Sequence, residues 1–121
     1  MSKKYTLVLG ASEKSERYSN KAVKMLTKYN HPVLAIGNKK GMIDQTEILI
    51  EPMNVNDIDT VTLYLNAGRQ LAYYDYILSL KPKRIIFNPG TENDELEQLA
   101  AENNIETLEA CTLVLLSTGQ Y

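Results

Sequence analysis

The residues in this sequence that could do chemistry are cations, hydroxyls and glycines set in loops. The chemistry they suit is the holding of a phosphate. After a short apolar run, Tyr5-Thr6-Leu7-Val8-Leu9, the chain reads Gly10-Ala11-Ser12-Glu13-Lys14-Ser15-Glu16-Arg17-Tyr18-Ser19-Asn20. Gly10 can adopt backbone angles closed to other residues and lets a ligand come close. A helical pattern follows, and the free N–H groups and dipole at a helix start favour an anion. Lys14 and Arg17 add mobile positive charge there, and Ser12, Ser15 and Ser19 add hydroxyls. A second apolar run, Val33 to Gly37, ends in Asn38-Lys39-Lys40-Gly41. A nicotinamide site normally places an acid at that point to hold the ribose hydroxyls; an ammonium pair suits a phosphorylated ribose instead. The dinucleotide pattern G-x-G-x-x-G is incomplete, because Ser12 and Ser15 stand at the later glycine places. There is no G-x-x-x-x-G-K-[ST] either, so a P-loop nucleotidase is not expected. Read blandly, the same loop is an ordinary polar turn between strand and helix, facing water.

Residues that would do acid–base or nucleophilic work are poorly placed. His31 is the only histidine, and it falls in a helix-to-strand turn at the far end of the sheet from these loops. Cys111, in Ala110-Cys111-Thr112-Leu113-Val114, reads as a small buried hydrophobe. Tyr73, Tyr74 and Tyr76 lie at helical spacing and suit core and rim. Asp57, Asp59, Glu92, Asp94 and Glu95 read as turn and cap residues, and no carboxylate pair has a spacing that compels acid–base catalysis. Arg69 and Gln70 start a helix at the ligand end. They could touch a phosphate or an amide, or form an exposed surface pair. No catalytic residue and no metal ligand is expected.

These loops must be positioned by the elements around them. A helix over about Ser19 to Tyr29 would bury Tyr18, Ala22, Val23, Met25, Leu26 and Tyr29, with Lys21, Lys24 and Lys28 in water. A short strand from about Glu47 to Ile50 follows the polar loop 38–43. Thr60 to Leu65 is β-branched and strand-like. Asn66 can cap a helix over about Ala67 to Leu80. Arg84 to Asn88 is a strand, with Pro89-Gly90 as its exit. Thr91 can cap a helix from Glu92 to about Asn103. Ile105 to Leu108 is an edge strand, and Ala110 to Leu116 is a short helix or an extended segment. Strands alternating with helices imply a parallel sheet with right-handed crossovers and the first strand in the middle. Ligands bind such sheets at the carboxyl ends of the strands. That rule gathers loops 10–19, 38–41, 66–70 and 88–93 into one site.

Bulk properties narrow the class. A chain of 121 residues suits one domain, taken as residues 1–121. Its 13 Lys and Arg against 15 Asp and Glu leave it slightly acidic with no single-sign block, which argues against a nucleic-acid surface. No apolar run is long enough to cross a bilayer. Met1-Ser2-Lys3-Lys4 leads directly into the first strand, leaving no room for a signal peptide. One cysteine excludes an internal disulfide framework or a cysteine metal cluster. The expectation is a cytoplasmic protein.

The pattern resembles the small bacterial CoA-binding domains, similar to the CoA-binding domain of the succinyl-CoA synthetase α subunit. Carrying the resemblance are Val8-Leu9-Gly10-Ala11-Ser12, Arg17-Tyr18-Ser19, Val33-Leu34-Ala35-Ile36-Gly37 with Lys39 and Gly41, Asn88-Pro89-Gly90 with Asn93, and Cys111. Together they cover nearly the whole chain. The resemblance implies a three-layer, Rossmann-like α/β domain with a mostly parallel sheet, binding CoA or an acyl-CoA. The chain departs from the α subunit in ending at Tyr121, without the domain that carries the phosphorylated histidine. A stand-alone, non-catalytic binding module is therefore expected. The phosphates are expected on Gly10, Ala11, Ser12, Lys14, Arg17 and Ser19, and the ribose phosphate near Asn38, Lys39, Lys40 and Gly41. The pantetheine arm would cross Asn66 and the Asn88, Pro89, Gly90 and Asn93 loop. Under this resemblance Cys111 could also be a thiol near that of CoA. A protein partner or a homodimer is compatible. The competing readings are an NADP-dependent reductase, a ligase fragment, and an interaction module that has lost its ligand.

Overall fold

The computed structural model describes residues 3–121. Seven strands form one sheet: β1 (Thr6–Leu9), β2 (Val33–Ile36), β3 (Gly41–Ile43), β4 (Thr46–Leu49), β5 (Thr60–Leu63), β6 (Arg84–Phe87) and β7 (Glu106–Glu109). Their order is β3-β4-β2-β1-β5-β6-β7, so β1 is central. Every pairing is parallel except β3 with β4. The helices are α1 (Tyr18–Lys28), α2 (Ala67–Gln70), α3 (Tyr74–Leu80), α4 (Asp94–Glu102) and α5 (Thr112–Ser117).

Alternation along the strands sorts the core into two layers. Leu7 and Leu9 of β1, Val61 and Leu63 of β5, and Ile85 and Phe87 of β6 pack with Ile77 of α3 and Leu96 and Ala100 of α4. Val8, Ala35 and Ile86, one residue out of step, pack with Val23 and Leu26 of α1 and Leu116 of α5. All four residues of β1 are buried, as a strand covered on both faces requires. The result is the expected three-layer, Rossmann-like architecture.

Four details differ from the sequence expectation. The loop 38–43 is not all loop: Gly41–Ile43 pairs antiparallel with Thr46–Leu49, and Asp44 takes the positive φ of 54° that the tight turn needs. The single helix from Ala67 to Leu80 is broken by a 3-10 turn at Leu71–Tyr73. Asn93, not Thr91, caps α4: its Oδ1 accepts the Leu96 N–H, while the Thr91 hydroxyl donates to the Asn88 carbonyl. Tyr18 and Tyr29 stay out of the core that α1 buries, with Tyr18 69% exposed. The end of the chain is a helix followed by a buried Tyr121.

Tyr121 closes the sheet at the amino ends of its strands. Its hydroxyl is 2.6 Å from the Thr6 hydroxyl, and its main-chain oxygen accepts from Lys4 Nζ at 2.6 Å and Arg84 Nη2 at 3.3 Å. The Arg84 guanidinium lies 4.5 Å from the ring centroid, a cation–π stack. His31 meets the same ring edge-on at 5.0 Å, and its Nδ1 accepts the Lys4 N–H. The proton of neutral His31 therefore sits on Nε2, which is buried with no partner among the described residues.

Candidate functional site

At the opposite end, the carboxyl ends of β1, β2 and β5 open into a cavity of about 900 Å³. It sits where the chain order reverses about β1, the place at which open α/β sheets take ligands. Its walls hold five cations, Lys14, Arg17, Lys39, Lys40 and Arg69, and one acid, Glu13. None of the five cations forms an ion pair among the described residues, where the salt bridge found is Lys83 with Asp59. Unpaired like charges around one concavity raise its potential and attract anions.

The main chain brings the walls together by close approach. Gly10 has a φ of 101°, and a Cβ on it would stand 3.0 Å from the Tyr64 carbonyl carbon. Its N–H and that of Ala11 both point at the Ile36 carbonyl, at 2.8 and 3.0 Å. Gly37 lies against the Ala11 carbonyl with no room for a side chain. The first turn of α1 is drawn in by Asn20, whose Nδ2 donates to the Ser12 carbonyl at 3.0 Å. Arg17 precedes α1 in an extended conformation and makes no side-chain cap, and the first turn holds no acid.

The far wall is cross-linked by a buried amide network. Gln70 Nε2 donates to the Leu65 and Thr91 carbonyls, each at 2.8 Å, tying the loop after β5 to the loop after β6. Its Oε1 accepts from Asn93 Nδ2, which also donates to the Tyr74 hydroxyl. Asn88 donates to the Thr62 hydroxyl and the Leu63 carbonyl and accepts the Thr112 N–H. Both asparagines and Gln70 are buried. Every polar atom of these three side chains is occupied within the protein.

Twelve of the expected residues line the cavity together: Gly10, Ala11, Ser12, Lys14, Arg17, Ser19, Asn38, Lys39, Lys40, Asn66, Pro89 and Gly90. Asn88 and Asn93 do not, because their amides hold the loops from behind. Gly41 does not either; it begins β3 and lies against the Glu13 side chain. Gln70 is fully buried rather than at the surface. Arg69, Tyr73, Tyr64 and Glu13 join the wall. No spacing rule singles out Glu13, since its partner lies 29 residues away across the hairpin that the sequence hides.

Of the groups that titrate unusually, Tyr64 borders the cavity, while His31, Tyr74, Tyr76 and Tyr121 are not among its lining residues. The Tyr64 hydroxyl is buried without a partner among the described residues, and burial pushes its pKa strongly upward. The nearby Thr112 and Thr62 hydroxyls temper the rise, but they bond to each other. Cys111 is a half-buried free thiol just before α5 and is not among the residues lining the cavity. His31 is at the other end of the sheet, as its turn position implied. Among the described residues no group of His, Cys, Asp and Glu is arranged to hold a metal ion, and no helix is long and apolar enough to cross a membrane.

A family profile described as the CoA binding domain matches residues 4–117. The chain belongs to that CoA binding domain family. A crystal structure of an uncharacterized protein is 48% identical to it, with 100% of each chain covered and a TM-score of 0.97. A protein of Thermus thermophilus is 17% identical over 98% of this chain and 91% of its own, with a TM-score of 0.84. An acetyl-coenzyme A synthetase of Ca. Korarchaeum cryptofilum, solved with phosphate and ADP, is 17% identical. The match covers 88% of this chain and 25% of that one, with a TM-score of 0.70. At such identities the last two share the fold alone with this CoA binding domain. No curated protein matches it in sequence.

Proposed function

We propose that this chain, as one unit over residues 1–121, binds CoA or an acyl-CoA and does no chemistry on it alone. The observation that carries the reading is the ring of five cations without acid partners around a cavity at the switch point of the sheet. Family membership supplies the ligand class. In this reading the diphosphate lies on the main chain of Gly10 to Ser12 and the start of α1, held by Lys14, Arg17 and Ser19. Lys39 and Lys40, beside Asn38, take the ribose phosphate. The pantetheine arm crosses Asn66 and the main chain of Pro89 and Gly90. Asn88, Asn93 and Gly41 serve the site as supports rather than contacts. A cytoplasmic location and a bacterial source go with this reading, and a protein partner or a second copy would supply any catalysis.

The test is a melting experiment with CoA and with NAD. A ligand at about a hundred times its dissociation constant stabilises the folded state by about 2.7 kcal/mol. CoA is expected to raise the melting temperature and NAD to leave it unchanged. Equal shifts, or none with CoA, would overturn the reading.

A further inference from the structure

Glu13 poses an electrostatic puzzle. It is the one acidic residue in a wall that holds five cations, where a carboxylate opposes the binding of any anion. Among the described residues it pairs with none of those cations. Its carboxylate is used elsewhere: Oε2 accepts the main-chain N–H of Met42 at 3.0 Å. Its side chain lies flat on Gly41, where a Cβ would stand 2.5 Å from Cδ and 2.6 Å from Cγ. The same two segments touch once more, at Gly37 under the Ala11 carbonyl. Asn38, Lys39 and Lys40 form the arch between these two fixed points.

We propose that Glu13 is the positioning residue of this arch, a clasp that holds Lys39 and Lys40 in place for an anionic ligand. The proposal rests on the CoA-binding reading above. The pairing of β3 with β4 holds the far end of the arch to the sheet. Without the clasp that end loses its tie to the β1–α1 loop, and the apparent affinity falls by the fraction of time the arch spends in the competent arrangement. The clasp needs an acceptor at the end of this side chain; it does not need a negative charge.

That separation gives the test its discriminating power. Glu13→Gln keeps the acceptor and removes the charge. Glu13→Ala removes both. If Glu13 acted only through its charge, both variants would bind CoA more tightly, by about threefold for one screened charge. The clasp predicts a split between the two: Glu13→Gln binds CoA more tightly than the wild type, and Glu13→Ala binds it about fivefold or more weakly than Glu13→Gln. Equal affinities for the two variants would overturn the proposal. Exchange of the Met42 amide hydrogen, followed by NMR in the ligand-free proteins, tests the clasp without CoA. It should quicken in Glu13→Ala and not in Glu13→Gln, and equal rates in both variants would overturn the clasp. A wild-type protein that fails to bind CoA but shows this exchange pattern would overturn the ligand reading and leave the clasp standing.

Discussion

The main chain at Gly37 runs directly against the carbonyl oxygen of Ala11, leaving no space for a Cβ between them. The obstruction is backbone, which cannot rotate aside as a side chain would. Gly37→Ala should therefore force the β1–α1 loop and the end of β2 apart. Overpacking of this kind costs about 1–3 kcal/mol, and a backbone clash belongs at the upper end. Urea denaturation would measure the loss, and CoA affinity should fall with it.

Gln70 is expected to be intolerant of its acid. Its Nε2 faces two carbonyls, of Leu65 and Thr91, in a fully buried place. Gln70→Glu replaces that donor with an acceptor at neutral pH, leaving two carbonyls unpaired beside a buried charge. A loss of about 3 kcal/mol or more is expected. It should shrink at low pH, where the protonated acid donates one hydrogen bond again. A variant as stable as the wild type across that range would contradict the network.

His31 should give folding stability an acid-sensitive component. Burial first, then the charges of Lys4 and Arg84, hold its pKa below the usual 6.5, against a smaller opposing effect of Asp59. The folded state thus favours the neutral ring. Stability is complete above pH 6.5, the unfolded value, and is lost as pH falls through 6.5 toward the folded pKa. Protonation would also take the Nδ1 lone pair that accepts the Lys4 N–H. Denaturation at about pH 7.5 and about pH 5.5 should show a smaller difference in His31→Gln than in the wild type. Equal differences would place the acid sensitivity elsewhere.

If Lys39 and Lys40 take the ribose phosphate, as proposed, dephospho-CoA should bind less tightly than CoA. Charge-assisted hydrogen bonds are worth about 1.5–3 kcal/mol when desolvated. Exposed pairs are worth about 1 kcal/mol at most, and this loop is exposed. A difference of up to about fivefold is expected. Lys39→Ala/Lys40→Ala should lose affinity for CoA but little for dephospho-CoA. A ratio that survives the double substitution would move the phosphate toward Lys14 and Arg17.

What could be read in advance followed the strength of the local signal. The Tyr5–Leu9 run ending in Gly10 is apolar and β-favouring, and the structure makes it the central strand. The loops of the cavity were legible because a parallel sheet fixes which ends gather them. The hairpin of β3 and β4 was hidden because each strand is three or four residues long and the turn uses Asp44, not glycine, at positive φ. Thr91 and Asn93 are both good caps by type. The choice between them is made by Gln70, 23 residues before Asn93, and no local pattern reports so distant a contact.

Tyr121 and its cluster occupy one end of four-residue strands whose other end carries the cavity. A strand of that length spans about 13 Å, beyond the distance at which substitutions usually influence each other's free energies. Changes around His31, Arg84 and Tyr121 should therefore add to changes around Lys39 and Lys40 without interaction. The protein could be made more robust at one pole while its selectivity is altered at the other, each adjusted without disturbing what the other has gained.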